Sequence, residues 1–329
     1  MELILTTAGS YPRIGDAPPL QRHRRAYAQR ERGEISVEAF REVEDEVTAE
    51  AIREQIEAGI ELVTDGQIRW YDPYSHLARG LEGIEINGLL RLFDTNFYFR
   101  QPVVRGPLRR RGPILLGEYE FARSVSSRPL KPVLTGPYTL ARGSILRGGY
   151  RSVHALAVAY AEVLAEEVRD LVRAGATPIQ VDEPAILRHP ADLNILEEAL
   201  AALSEARGTA RLALHTSFGD VAPLYRDLHA LPVDVLGLDF TYSPKLATLI
   251  AEVGAEKALA LGVVDGRNTK LETPERVFPI LDMVLPALKG SQAYLTPSCG
   301  LEFLPHDRAR QKLETLRRLR DAYLGGRSS

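Results

Sequence analysis

A single cysteine, Cys299, lies in Leu295-Thr296-Pro297-Ser298-Cys299-Gly300-Leu301-Glu302, where an apolar run breaks into a polar turn. A lone thiol closes no intramolecular disulfide, which leaves core filler, nucleophile or metal ligand. Its place in a turn favours chemistry. His215 follows Leu212-Ala213-Leu214 and Asp239 follows Val235-Leu236-Gly237-Leu238 in the same manner. Imidazole, carboxylate and thiolate are donor types that suit Zn2+, so His215, Asp239 and Cys299 form a candidate metal site with a position open for an incoming group. A short-spacing zinc motif is absent, and each residue has a plainer reading. His215 could be a hydrogen-bonded structural histidine, and Asp239 could cap the next helix.

Other polar groups occur at equivalent places. Ser10 sits in Gly9-Ser10-Tyr11-Pro12, a turn or an amide donor to an anion. Gln67 ends Asp65-Gly66-Gln67, and Gly136-Pro137 makes a turn that lets backbone or ligand approach closely. Asp182 and Glu183 follow Ile179-Gln180-Val181, and paired carboxylates beside a buried strand favour substrate contacts over capping. Asp265 and Arg267, in a turn with Gly266 and Asn268, are the candidate catalytic residues.

The elements that must position these groups recur along the chain. Short β-branched or apolar runs cover Leu3–Thr7, Glu61–Asp65, Pro132–Gly136, Pro178–Asp182, Arg211–His215, Asp234–Asp239, Ala258–Val264 and Ala293–Thr296. Segments of 3.6-residue period lie between them, clearest at Val37–Ala58, Val153–Ala174, Leu193–Ala206, Pro274–Leu288 and Asp307–Leu324. Ser36 is a candidate N-cap, and Gly59 and Gly175 are candidate stops. Strands alternating with helices imply a parallel sheet. Eight repeats suggest closure into a (β/α)8 TIM barrel, an α/β fold whose chemistry lies at the strand C-termini. Every candidate above falls at such an end.

We expect one domain over 1–329, with an insertion over 70–130 after the second strand. Within it, part of Phe97–Val104 reads as a hairpin strand that Pro102 demotes to a sheet edge. The stretch reads as an excursion over the barrel mouth, a lid or dimer surface. Arg109-Arg110-Arg111 reads as a solvated turn. The 329 residues are 45% hydrophobic and 26% charged, with formal net charge -3. No basic excess points to nucleic acid or an anionic membrane. No apolar run approaches the ~18 residues of a membrane span, and the N-terminus lacks a signal-peptide pattern. Single-cysteine usage fits a cytoplasmic location.

Several of these stretches together resemble the cobalamin-independent methionine synthase family. They are Thr6-Thr7-Ala8-Gly9-Ser10-Tyr11-Pro12, Val63-Thr64-Asp65-Gly66, Leu134-Thr135-Gly136-Pro137, Ile179-Gln180-Val181-Asp182-Glu183-Pro184-Ala185 and Pro297-Ser298-Cys299-Gly300-Leu301. The resemblance spans the chain but only the family's catalytic barrel, and so implies a short single-barrel form. It implies a zinc-dependent methyltransferase that moves a methyl group from methyl-folate or a methyl-corrinoid protein to a thiol, homocysteine, giving methionine. It assigns His215 and Cys299 as zinc ligands, with Asp239 where the family has Glu. Asp182 then binds the substrate amine, and Ser10 its carboxylate.

Three positions depart from that pattern. His-x-Cys becomes His215-Thr216-Ser217, a Glu that meets the substrate amine becomes Gln67, and a proton-transferring His becomes Arg267. Arg267 cannot act as an acid at neutral pH and could instead pair with an anion. Other readings are a related barrel enzyme using another thiol or donor, a tetrapyrrole decarboxylase, or a non-catalytic corrinoid-binding or regulatory module.

Overall fold

The structure is a computed structural model that describes residues 1–326; the last three residues of the expected 1–329 unit lie outside the described residues. The strands are β1 (Glu2–Leu5), β2 (Leu81–Arg91), β3 (Tyr98–Arg110), β4 (Val133–Thr135), β5 (Ile145–Leu146), β6 (Ile179–Asp182), β7 (Leu212–Thr216), β8 (Val235–Asp239), β9 (Ala258–Val264) and β10 (Gln292–Pro297). The helices are α1 (Arg22–Glu31), α2 (Val37–Glu57), α3 (Ser75–Arg79), α4 (Leu116–Val125), α5 (Pro137–Gly143), α6 (Val153–Arg173), α7 (Leu193–Ala206), α8 (Tyr225–Ala230), α9 (Leu246–Val253), α10 (Pro274–Val284) and α11 (His306–Gly325).

Seven parallel strands form one sheet in the order β1-β10-β9-β8-β7-β6-β4. The expected strand at Glu61–Asp65 closes it, reduced to two bridges, Thr6 with Leu62 and Val63 with Leu130. Backbone bonds seal both sides: Leu62 N donates to Leu5 O at 3.1 Å and Lys131 N to Val63 O at 3.0 Å. The ladder stops at Val63 because a side chain takes over. Gln55 Oε1 accepts from Thr64 N, and Gln55 Nε2 donates to Thr64 O, each at 3.0 Å. The result is an eight-fold parallel barrel with one abbreviated strand.

Local chemistry explains the helix bounds. Ser36 and Ser152 accept from Ala39 N and Ala155 N, both at 3.1 Å, starting α2 and α6. Gly59 and Gly175 follow the ends of those helices with positive φ of 96° and 90°. The expected helix Pro274–Leu288 tightens into a 3-10 turn over Leu285–Ala287, because Pro286 has no N–H to continue the α-helical pattern.

Between the second and third barrel strands, β2 and β3 pair as a long antiparallel hairpin. Pro102 is not on an edge strand: β3 lies between β2 and β5. The short β5 pairs only with Val103 and Val104, so it makes no ladder with Pro102. The arginine run is likewise not a solvated turn. Arg109 and Arg110 end β3, and Arg110 reaches Glu167 at 2.7 Å and Asp170 at 2.6 Å on α6. Glu167 also accepts from Leu115 N at 2.7 Å, tying the hairpin's exit to the barrel.

Candidate active site

The C-terminal ends of the barrel strands surround a cavity of about 550 Å³. Ser10, Gln67, Asp182, His215 and Cys299, all expected from the sequence, line it. Ser217, Thr135 and Glu302 join them. A second cavity of about 490 Å³ shares Ser10, Gln67 and Glu302, and adds Trp70, Tyr71, Phe97 and Tyr98. Leu92 borders both, and Phe93 the first. The hairpin turn therefore roofs the mouth. Phe93 stacks on Phe218 at 5.0 Å after β7, and Phe97 meets Phe303 edge-on at 5.0 Å after β10.

Asp182 stands above a buried polar network inside the barrel. Gln180 Nε2 donates to Asp182 Oδ1 at 2.7 Å and to Ala8 O at 2.6 Å, and Lys131 Nζ donates to Gln180 Oε1. Burial pushes the Asp182 carboxyl up to about 7, opposed by the bond from Gln180 and the charge of Lys131. Burial also brings the Lys131 ammonium down to about 7. Glu183 turns elsewhere. Its carboxylate accepts from Tyr138 N at 2.9 Å and Thr139 N at 2.7 Å, capping α5 against the turn at Gly136. A Cβ on Gly136 would come within 2.2 Å of that carboxylate, which is the close approach the glycine permits.

His215 is 4% exposed, and its Nε2 lies 3.2 Å from Ser298 O, to which it donates. Its Nδ1 packs over Gly237, where a Cβ would come within 2.3 Å. Burial, then the charge of Lys131, pushes His215 down to about 4, so the ring is neutral. The strand pairing slips at Thr296/Pro297, a bulge that re-aims the turn carrying Cys299. The Cys299 thiol is 2% exposed and points to Gly300 O at 3.4 Å; burial raises its pKa, opposed by Arg267.

Asp239 is fully buried and outside both cavities. Its Oδ1 accepts from Thr241 Oγ1 at 2.6 Å and Thr241 N at 2.9 Å, closing the turn after β8, and Oδ2 faces Arg267 Nη1 at 3.3 Å. Arg267 is held through two of its three nitrogens, while Nη1 is buried without a hydrogen-bond partner. Its Nε donates to Asp265 Oδ1 at 3.0 Å, Nη2 donates to Thr241 Oγ1 at 2.5 Å, and the guanidinium lies 3.6 Å from the Tyr242 ring centroid. Asp265 thus orients Arg267, and the pair sits behind Cys299 rather than in the cavity wall.

This placement bears on zinc. Among the described residues, no three His, Cys, Asp or Glu side chains form a group able to hold a metal ion. His215 Nε2 serves a carbonyl, Asp239 Oδ1 serves a turn while its Oδ2 makes no hydrogen bond and is matched only by the charge of Arg267, and Ser217 offers a hydroxyl in place of a thiolate. As placed, the donor set does not fit Zn2+. Sequence reading missed Glu302, Lys131 and the aromatic wall. Glu302 was the most findable, as the only charge in Leu301-Glu302-Phe303-Leu304, three residues past Cys299.

A parallel barrel with ionisable and polar groups gathered at its strand ends is an architecture on which many enzymes are built, and comparison with known proteins narrows it. Residues 3–321 match the family described as cobalamin-independent synthase, catalytic domain. A methionine synthase of Sulfurisphaera tokodaii is 35% identical over 314 residues, covering 94% of this chain and 88% of that one. A methionine synthase of Saccharolobus solfataricus is 32% identical over 317 residues, covering 94% and 92%. The B12-independent methionine synthase from Shewanella sp. W3-18-1, solved with selenomethionine, shares the fold at TM-score 0.81 and 22% identity, covering 99% of each chain. The chain belongs to the cobalamin-independent methionine synthase family, and it is a methyltransferase.

Proposed function

We propose that the enzyme transfers a methyl group from a methyl carrier to the sulfur of homocysteine, giving methionine. The observation that carries this reading is the cavity joining Ser10, Asp182, His215 and Cys299 in a chain matched to the family over residues 3–321. Asp182 receives the amino group of the substrate, and Ser10 contacts its carboxylate. The sulfur then lies at the His215–Cys299 end. A new S–C bond forms as the carrier–methyl bond breaks; the carrier leaves with the bonding pair, and sulfur gives up one proton. Arg267 is a fixed cation behind this end, its charge offset by Asp239 and Asp265, so its part is to hold the turn beneath the sulfur. The cavity walled by Trp70, Tyr71, Phe97 and Tyr98 suits the flat ring of methyl-folate, whereas a methyl-corrinoid would have to present its methyl group from outside the mouth.

The single-barrel unit 1–329, with its 70–130 insertion roofing the mouth, is part of this reading. So is a cytoplasmic location: no helix among the described residues is long and apolar enough to cross a membrane, and one thiol suits a reducing compartment. Zinc enters only if Arg267 releases Asp239 and His215 releases its carbonyl. Bound there, Zn2+ would supply Lewis acidity that lowers a thiol's pKa. The test incubates purified enzyme with L-homocysteine and either methyl-folate or methylcobalamin, and measures methionine alongside metal content. Methionine formation with less than stoichiometric zinc is expected. No methionine with either donor overturns the reading, and stoichiometric zinc overturns the placement of its donors.

A further inference from the structure

The cavity contains a carboxylate without an assigned partner. Glu302 lines both cavities together with Ser10 and Gln67. Its Oε2 is buried and has no hydrogen-bond partner. Leaving a buried charged acceptor unpaired costs more than the ~1–3 kcal/mol of a neutral one, so such a group favours a ligand that brings a donor to it. Arg13 is the cation that acts on Glu302, but its guanidinium donates instead to the carbonyls of Trp70 and, at 3.2 Å, Tyr71.

Gly300 shows where the Glu302 carboxylate is aimed. A Cβ built there would lie 1.8 Å from Ser10 Oγ and 2.4 Å from Glu302 Oε2, so hydroxyl and carboxylate converge over one bare Cα. Ser10 is fixed in turn, because its carbonyl accepts from Leu301 N at 2.8 Å. Asp182 adds the second negative group, close enough to raise the Glu302 carboxyl, which burial pushes to about 7. Gln67, on the same wall, offers only an amide, which cannot neutralise a cation.

Resting on the methionine-synthase reading, we propose that Glu302 is a specificity-determining residue that, with Asp182, binds the α-ammonium group of the amino-acid substrate, supplying the charge that Gln67 lacks. An –NH3+ group has three donors and no acceptor, which suits two carboxylates and the Gln67 carbonyl oxygen. The role belongs to binding, so it is read without a methyl donor.

The experiment is calorimetric titration of L-methionine and of 4-(methylthio)butanoate, its analogue without the amino group, into wild type, Glu302→Gln and Glu302→Asp. Thermal melts accompany each variant. Glu302→Gln is expected to weaken L-methionine by roughly 10- to 100-fold, the range of one charge-assisted hydrogen bond, and to leave 4-(methylthio)butanoate unchanged. Glu302→Asp, which keeps the charge one methylene back, is expected to lose less, again for L-methionine alone; it carries the test if the amide variant does not fold. Equal affinities in wild type and variants, or equal losses for both ligands, overturn the inference and leave the methyl-transfer reading intact. No L-methionine binding to wild type overturns that reading itself.

Discussion

Asp182 and Glu183 are adjacent in sequence and occupy different environments. Asp182 lines the cavity, whereas Glu183 is buried under α5 as an acceptor for two amides. Burial pushes the Glu183 carboxyl up to about 7, opposed by those same bonds. Since that lies above the unfolded value of about 4.5, the folded chain holds a proton that the unfolded chain releases between these limits. The stabilisation is complete below the lower limit and is lost as pH rises through the upper one. Melting Glu183→Gln beside wild type from about pH 5 to about pH 8 should show a shallower fall in Tm for the variant. Parallel curves would assign the titration to another group. At this scale the sequence was most legible where a polar residue ends an apolar strand, as His215 and Cys299 do. Asp239 shares that pattern yet serves its own turn, because Thr241 and Arg267 reach it first. Glu302 lies in a turn with no periodicity to give its direction, so only the geometry reveals it.

Among elements, the hairpin of β2 and β3 has the largest effect on the site. Its turn touches three barrel loops: Phe93 on Phe218, Phe97 on Phe303, and Asp94 accepting from the Tyr242 hydroxyl. A stacked aromatic pair adds ~0.5–1.5 kcal/mol beyond its buried area, so the turn is held by a few contacts that one substitution weakens. Phe93→Ala should raise KM for the thiol severalfold with a smaller effect on kcat, and speed proteolytic cleavage between Leu92 and Phe97. Unchanged KM and cleavage would show that the roof is anchored elsewhere. The excursion itself was legible as an interruption between two strands. Its sheet was not, because β5 is only two residues long and falls after the third barrel strand, outside the stretch read as an insertion. Arg110 likewise finds its acids on α6, 57 residues downstream at Glu167, a pairing that depends on tertiary folding.

For the molecule as a whole, alternating strands and helices were enough to read a closed barrel, since a strand buried on both faces leaves a long apolar run. Strand two was legible as a run but not as two bridges, because nothing local shows that Gln55 will claim Thr64. That abbreviated strand makes the barrel uneven around its circumference. Where neighbouring strands share three to five paired residues, this junction has one on each side, so the cylinder should open most readily at this seam. Amide hydrogens of Leu62, Val63 and Lys131 should exchange with deuterium sooner than those of β7 to β9. Because Ser10 and Gln67 hang from the two walls of the seam, an amino acid gripped between them should slow that exchange. If bound L-methionine leaves it untouched, substrate and seam are uncoupled; if it slows, the enzyme's loosest joint is one that its substrate tightens.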